Sequence, residues 1–176
     1  MIRALVILAG LLAMAGAAGV YAENHGAEHA SATLKNTAGE VIGEARLIED
    51  ATGLVHVNVH VKGISPGEHG IHIHAIGACS PTFLAAGGHH NPLGQEHGLD
   101  NPDGPHAGDL PALTVTPAGV GHLDVVTDRA TLSPGTTSVF DADGSALVIH
   151  ADPDDQVTDP TGNSGARVAC GVIEQD

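Results

Sequence analysis

The sequence is poor in aromatic and basic residues. Tryptophan is absent, tyrosine occurs once and phenylalanine twice, so aromatic residues make up only 2% of the 176 residues. Val, Leu, Ile and Ala side chains must therefore fill the core. Six lysines and arginines stand against 21 acidic side chains, which gives a formal net charge of −15 at pH 7. This charge argues against a nucleic acid or an acidic membrane surface as a partner.

Long hydrophobic runs are also scarce, and the one that stands out is at the N-terminus. Met1-Ile2-Arg3 is followed by an apolar stretch over residues 4–20 and then by Val20-Tyr21-Ala22. The pattern predicts a signal peptide over residues 1–22, with cleavage after Ala22 or, alternatively, after Ala17. A membrane anchor is the competing interpretation, but many Ala and Gly residues make the stretch weakly hydrophobic. We expect export, to a periplasm or to the exterior, with no membrane attachment after cleavage.

Cysteine occurs only at Cys79 and Cys170, and neither lies in a lipid-attachment motif. In an exported protein, two cysteines favour one disulfide over a metal-binding pair. A bridge between them would close a long loop, worth about 4–5 kcal/mol in the chain-entropy account of disulfide stabilisation. Two free buried thiols are the alternative.

Many short strand-like segments, separated by Gly/Pro/Asn clusters, occupy residues 32–176. They are residues 32–35, 40–48, 54–61, 70–74, 113–116, 121–126, 138–140, 146–150 and 166–173. They predict one all-β domain, an antiparallel sandwich or flattened Greek-key barrel with two long loops, preceded by a flexible segment over residues 23–31. Segment 54–61 alternates valines with His56, Asn58 and His60, so these two histidines lie on a solvent face or form a surface metal patch.

Histidines concentrate between Gly70 and Asp109. His72 and His74 are two residues apart in a strand-like segment, so both rings project from one face. His89, His97, His106 and Asp109 follow in a long loop without periodicity, and His150 ends an apolar run. Imidazoles with one carboxylate suit two borderline metal ions such as copper and zinc.

Five segments in this order make the chain resemble the copper–zinc superoxide dismutases, particularly their bacterial secreted branch. The segments are GIHIH at 70–74, GGHHNP at 87–92, PHAGDL at 105–110, VIHADPDD at 148–155 and GNSGARVACGVI at 162–173. The resemblance covers residues 32–174. It implies an eight-stranded Greek-key barrel that converts superoxide to dioxygen and hydrogen peroxide with one copper and one zinc ion per chain.

The resemblance also implies a role for individual residues. The implied copper ligands are His72, His74, His89 and His150, and the implied zinc ligands are His89, His97, His106 and Asp109. His89 then bridges the two metals, and Asp154 accepts hydrogen bonds from His72 and His97. Arg167 matches the residue that guides the superoxide anion, and the resemblance supports the Cys79–Cys170 pairing. It leaves both a monomer and a homodimer open.

Two departures from the family pattern stand out. His90 replaces an aromatic residue and is expected to pack rather than bind metal, and the segment between Asp155 and Arg167 has no lysine to steer the anion. A metal carrier of the same fold is the non-enzymatic alternative, and a copper-only dismutase is another. The first typically lacks a ligand or the arginine and the second lacks zinc ligands, whereas this chain has all of these residues. His25 and His29 could help to collect metal, although a plain linker is the simpler interpretation.

Overall fold

A computed structural model describes residues 28–176 as an almost entirely β structure. Ten strands lie within these residues: β1 Glu28–Asn36, β2 Val41–Glu49, β3 Val55–Lys62, β4 Gly67–His69, β5 Ile71–His74, β6 Leu113–Val115, β7 Val120–Thr127, β8 Ala146–His150, β9 Arg167–Val172 and β10 Glu174–Gln175. One 3-10 turn spans Phe83–Ala86. No helix in this part of the chain has the length and apolar character needed to cross a membrane. The predicted signal peptide, residues 1–22, lies outside the described residues.

The strands form one antiparallel sheet that closes almost completely into a barrel. Its order is β4-β6-β7-β3-β2-β1-β9-β8-β5, and β10 pairs with β1. The two end strands, β4 and β5, are consecutive in the chain and are separated only by Gly70. Counted as one interrupted strand, and without the two-residue β10, they leave the eight strands of the predicted barrel.

The barrel interior is aliphatic, as the shortage of aromatic residues predicts. Val57 and Val59 of β3 are fully buried, and the alternate residues His56 and His60 are exposed. Leu47 of β2 is also fully buried. Each such side chain contributes roughly 1.5–3 kcal/mol through its removal from water. The period-two pattern therefore separates the face of β3 that packs in the interior from the face that is exposed.

Two features differ from the sequence prediction. Strand β1 begins at Glu28, so residues 28–31 belong to the sheet rather than to a flexible segment, because Glu28–Ser31 pair with Arg46–Glu49. The expected strand over 138–140 is not formed, and Ser138 makes only an isolated bridge to Thr131. That loop is held instead by Glu49, whose Oε2 accepts hydrogen bonds of 2.6 Å from the backbone N–H groups of Leu132 and Ser133.

Candidate metal centre

Adjacent strands bring three of the predicted ligands together. His72 and His74 lie on β5, which pairs with β8 so that Ile71 is opposite Ile149. His150 ends β8, and its backbone N–H donates to Gly70 O at 2.8 Å. All three histidines are buried, with at most 3% of their surface exposed.

The long loop after β5 is held along that strand by backbone hydrogen bonds. His90 N–H donates to Ile73 O at 2.8 Å, and Ile73 N–H donates to Gly108 O at 2.9 Å. These contacts bring His89 opposite His74 and Asp109 opposite His72 as isolated β-bridges. Gly108 is required because a Cβ atom there would overlap with Ile73 O. The loop therefore adds its ligands to those of the strands.

His72, His74, His89 and His150 form the four-histidine group, in which one ring nitrogen per residue lies within 4.8 Å of all the others. The Nε2 atoms of His74 and His150 are 3.4 Å apart. Their Nδ1 atoms donate outward to Gly87 O at 3.0 Å and Gly165 O at 3.2 Å. These donations leave both Nε2 lone pairs free for a metal ion.

Two further nitrogens of this group are buried and have no hydrogen-bond partner among residues 28–176. They are His72 Nδ1 and His89 Nε2. An unpaired buried polar atom costs roughly 1–3 kcal/mol. Because ligation by a metal ion would remove this cost, the two atoms fit a bound metal.

The second cluster, the three-histidine–aspartate group, gathers Nδ1 atoms around Asp109. Asp109 Oδ1 lies 2.9 Å from Nδ1 of His89, 3.0 Å from that of His97 and 3.3 Å from that of His106. The Nδ1 atoms of His89 and His106 are 3.2 Å apart. Four ligands at 2.0–2.1 Å from a tetrahedral zinc ion would be separated by about 3.3 Å. The group therefore needs to open only slightly to hold zinc.

His72 also lies near this second cluster, within 4.8 Å of His89, His97 and Asp109. Its Nε2 is however occupied by Asp154 Oδ2 at 2.5 Å, and its Nδ1 is the unpaired atom of the four-histidine group. His106 is the better fourth member, because its Nδ1 is in direct contact with the other ligand atoms.

Asp154 connects the two clusters. Its Oδ1 accepts a hydrogen bond from His97 Nε2 at 3.0 Å, and its Oδ2 accepts the one from His72 Nε2. These two donations leave Nδ1 as the ring nitrogen of His72 and of His97 that could bind a metal ion. Gly162, with a φ of 59°, packs against this carboxylate, and a Cβ atom there would lie 2.6 Å from His97 Nε2. Only glycine fits at this position.

Arg167 is half-buried beside the four-histidine group. It donates 2.6 Å hydrogen bonds from Nη1 to Phe83 O and from Nη2 to Gly87 O. Gly87 O also accepts the bond from His74 Nδ1. The disulfide between Cys79 and Cys170, with Cα atoms 5.9 Å apart, ties this loop to β9. The disulfide prediction is confirmed, and the loop it fixes supplies both carbonyls that hold the guanidinium.

Known proteins are similar to this chain over most of its length. The sequence matches the family described as copper/zinc superoxide dismutase (SODC) over residues 41–173. This chain belongs to that family. A Cu-Zn superoxide dismutase of Aquifex aeolicus is 49% identical over 147 residues, which cover 82% of this chain and 85% of that protein. A Cu-Zn superoxide dismutase of Caulobacter vibrioides is 39% identical over 149 residues, which cover 82% of this chain and 85% of that protein.

Solved structures agree with this assignment. The crystal structure of a SOD-like protein from Bacillus subtilis superimposes with a TM-score of 0.74 at 39% identity, covering 81% of this chain and 96% of that one. The predicted Greek-key barrel is thereby confirmed. The function of the copper/zinc superoxide dismutase family is the disproportionation of superoxide, with copper and zinc as cofactors.

The electrostatics of this dismutase chain differ between its two clusters. Burial, with the repulsion of neighbouring imidazoles, lowers the pKa of His72 to about 3, of His74 to about 2 and of His150 to about 4. Burial alone would also lower the pKa of His97, but hydrogen bonds to Asp109 and Asp154 outweigh it and raise this pKa to about 9. Burial also lowers the pKa of His89, so all members of the four-histidine group are neutral at pH 7, as ligands must be. A proton occupies His97 until a metal displaces it.

At the two carboxylates, Asp109 and Asp154, hydrogen bonds also outweigh the effect of burial, and here they lower the pKa. Burial alone would raise the pKa of Asp109 and of Asp154, because it disfavours the charged form. Hydrogen bonds from His106, His89 and His97 outweigh it at Asp109, and those from His72 and His97 do so at Asp154, so both pKa values fall well below the usual range. Both groups are therefore anionic across the physiological range and offset the charge of a bound cation.

Three further residues, His90, His56 and Asp159, bear on the sequence predictions for the site. His90 is buried and donates from Nε2 to Thr137 O at 3.2 Å, which agrees with the packing role expected for it. His56 contacts Asp50 on the surface. Asp159 was missed by the sequence analysis: its Oδ1 accepts from His97 N–H at 2.8 Å and lies 3.6 Å from His106 Nε2. No local pattern marks it, because the contact joins residues 62 positions apart.

Proposed function

We propose that this chain disproportionates superoxide at a copper ion held by the four-histidine group, with a zinc ion held by the three-histidine–aspartate group. Copper would be held by Nδ1 of His72 and by Nε2 of His74, His89 and His150. Zinc would be held by Oδ1 of Asp109 and by Nδ1 of His89, His97 and His106. The family resemblance implies these residues, and the hydrogen bonds of the rings support the choice of atoms.

The observation that carries the proposal is the position of His89. Its Nδ1 lies 2.9 Å from Asp109 Oδ1, while its Nε2 is buried and unpaired within the described residues and faces the other cluster. An imidazole with one nitrogen in each ligand set would bridge the two metals. It would couple the proton affinity of its Nε2 to the charge of the zinc ion.

The chemistry balances over two half-reactions. Bound copper supplies one-electron redox chemistry: one superoxide loses an electron and leaves as dioxygen, and a second gains an electron and, with two protons, leaves as hydrogen peroxide. His89 Nε2 would take up one of these protons only after releasing reduced copper, and it would give the proton up when it binds oxidised copper again. Its Nδ1 stays fixed beside Asp109, so the ring remains in place to return the proton. The second proton comes from solvent.

Arg167 positions the substrate anion. Two of its N–H groups are used by Phe83 O and Gly87 O, which fixes the guanidinium plane beside the four-histidine group. The remaining N–H groups and the permanent positive charge are available to a small anion. A neutral residue at this position would lose the electrostatic attraction.

The non-enzymatic alternative, a metal carrier of the same fold, has less support. All seven ligand side chains and Arg167 are present, and they are placed together. A carrier would need neither the fixed guanidinium nor the bridging imidazole. The two functions differ in one property, which is turnover of superoxide by the loaded chain.

We also propose export, with residues 1–22 as the signal peptide. The Cys79–Cys170 disulfide supports export, because such bonds persist in oxidising compartments. N-terminal sequencing of protein recovered outside the cytoplasm should begin at Glu23. A chain that keeps residues 1–22 would contradict this cleavage site.

The test of the function is superoxide decay, followed directly, with residues 23–176 loaded with copper and zinc. We expect catalytic turnover that is lost in His150→Ala, which removes a copper ligand but leaves zinc bound. His56→Ala is the matched control, because His56 is an exposed histidine with no contact to either cluster. A fully loaded chain that fails to turn over superoxide would instead support the carrier function.

A further inference from the structure

A second pair of histidines lies on the outside of the barrel, away from the metal centre. His60 of β3 and His122 of β7 are directly opposite each other in the antiparallel ladder, and both side chains are exposed. Strands β2, β1 and β9 separate β3 from β8, which carries His150. The valines of β3 fill the barrel interior between the two places.

The two rings of this pair are close enough to share one metal ion. Their centroids are 4.2 Å apart and their planes are inclined by 33°. Imidazoles bound in adjacent positions at about 2.0 Å from one ion have centroids roughly 4.4–5.2 Å apart. Within the four-histidine group itself, the separations run from 3.9 Å for His72–His89 to 6.3 Å for His72–His74 and His89–His150. Both side chains are exposed, so small rotations about their side-chain bonds can bring one nitrogen of each ring within binding distance of a shared ion.

The surface patch that the sequence suggested, His56 with His60, is not this pair. Four residues along a strand span about 13 Å, too far for one ion. His56 Nε2 instead contacts Asp50 Oδ2 at 3.1 Å. The register between β3 and β7, which one strand's pattern cannot show, gives His60 its partner.

The surroundings of the pair favour a cation. Glu44 of β2 is the direct neighbour of His60 on the side away from His122, and it is exposed. Its Oε1 is 3.1 Å from Arg46 Nη2, a surface contact worth little. The carboxylate can therefore turn to the metal as a third ligand. Lys62, two residues farther along β3, would repel a cation, but the formal net charge of the whole chain is −15.

We propose that His60 and His122, with Glu44 as a third donor, form a surface binding site for a divalent transition metal. Two imidazoles and a carboxylate suit Cu(II), Zn(II) and Ni(II), and the usual order of stability makes Cu(II) the tightest. The site is separate from the catalytic centre and goes beyond the proposed dismutase function. Loss of the pair leaves superoxide turnover unchanged.

The test uses a His25→Ala chain, which removes the N-terminal histidine as a competing ligand, already filled with copper and zinc in the catalytic centre and freed of excess metal. Cu(II) is then titrated at pH 7.5 in a weakly coordinating buffer, with calorimetry for affinity and electron paramagnetic resonance for the ligand nitrogens. We expect one additional equivalent with two coordinated nitrogens. Because two ligands on one scaffold bind as a chelate, His60→Ala or His122→Ala should weaken it on the order of 100-fold.

His56→Ala is the matched control, since it removes an exposed histidine from the same strand without touching the pair. The His56→Ala variant should bind the additional Cu(II) with the same affinity as the chain that keeps His56. Equal melting temperatures and equal superoxide turnover in all variants show that the fold and the catalytic centre are intact. The proposal is overturned if no additional equivalent binds, or if binding persists undiminished in the double variant H60A/H122A, which would place it elsewhere in the chain.

Discussion

Asp154 holds His97 by a 3.0 Å hydrogen bond from the ring's Nε2 to Oδ1, so His97 can offer only Nδ1 to a metal ion. The other oxygen of Asp154 does the same for His72. One carboxylate therefore orients a ligand in each cluster. We therefore expect Asp154, 57 positions after His97 in the sequence, to affect metal affinity.

Asp154→Asn should weaken zinc binding on the order of 10–100-fold, the usual effect of losing such an orienting partner. An amide can still contact one ring but cannot accept from two N–H donors at both of its ends. Competition with a zinc-selective chelator measures the change, and circular dichroism shows whether the barrel is intact. Asp155→Asn is a suitable control, since that exposed carboxylate contacts only its own loop. Unchanged zinc affinity in Asp154→Asn would contradict the role given to it.

Acid should remove zinc before copper. The pKa of His97 is raised to about 9 when no metal is bound, so protons compete for this ligand at every pH below that value. His72, His74 and His150, with pKa values of about 3, 2 and 4, accept protons only in strong acid. Metal content after dialysis at a series of pH values from 7 to 3 measures the order of release. Copper leaving first would contradict this difference between the clusters.

Reduction of the Cys79–Cys170 bond should lower both thermal stability and activity. The bond closes a loop of 91 residues, for which the chain-entropy account gives about 4–5 kcal/mol. The same loop presents Phe83 O and Gly87 O to Arg167, so loosening it frees the guanidinium. Melting curves with and without reductant, and with Cys79→Ser/Cys170→Ser, measure the first effect. Two alkylatable thiols in the native protein would contradict the disulfide itself.

Superoxide turnover should depend little on ionic strength. The loop between Asp155 and Gly165 has no lysine, and without Arg3 the net charge is one unit more negative than −15. Arg167 acts at short range, since charges beyond about 8–10 Å are largely screened at physiological salt. Salt then weakens long-range repulsion about as much as local attraction.

The measurement is turnover from low to physiological salt at constant pH. A tenfold fall, the scale of long-range steering, would contradict the expectation and point to Lys62 or Arg129 as focusing charges. Arg129 already donates to Asp109 O at 2.9 Å, which limits its reach. Arg167→Glu should remove most activity at every salt concentration, because it replaces the attraction beside copper with repulsion.

The sequence predicted the parts of this molecule that depend on local pattern. Alternation in residues 54–61 predicted β3, and the two-residue spacing of His72 and His74 predicted that both rings project together. Local pattern could not predict contacts between distant segments, and those of Asp154 with His72 and His97 were expected only from the family resemblance. Asp159 reaches His97 across 62 residues, and His60 meets His122 only through strand register. The start of β1 was placed four residues late because its pairing with β2, rather than its own composition, extends it.

The proposed function depends on His89 joining copper to zinc. A crystal structure of the oxidised, copper- and zinc-loaded chain, with anomalous diffraction collected at both metal absorption edges, tests this directly. We expect one copper ion bonded to His89 Nε2 and one zinc ion bonded to His89 Nδ1. In His89→Ala we expect two metals without a bridge, and impaired turnover. A single metal in the active chain, or a His89 ring bonded to only one of the two ions in the oxidised state, would contradict it.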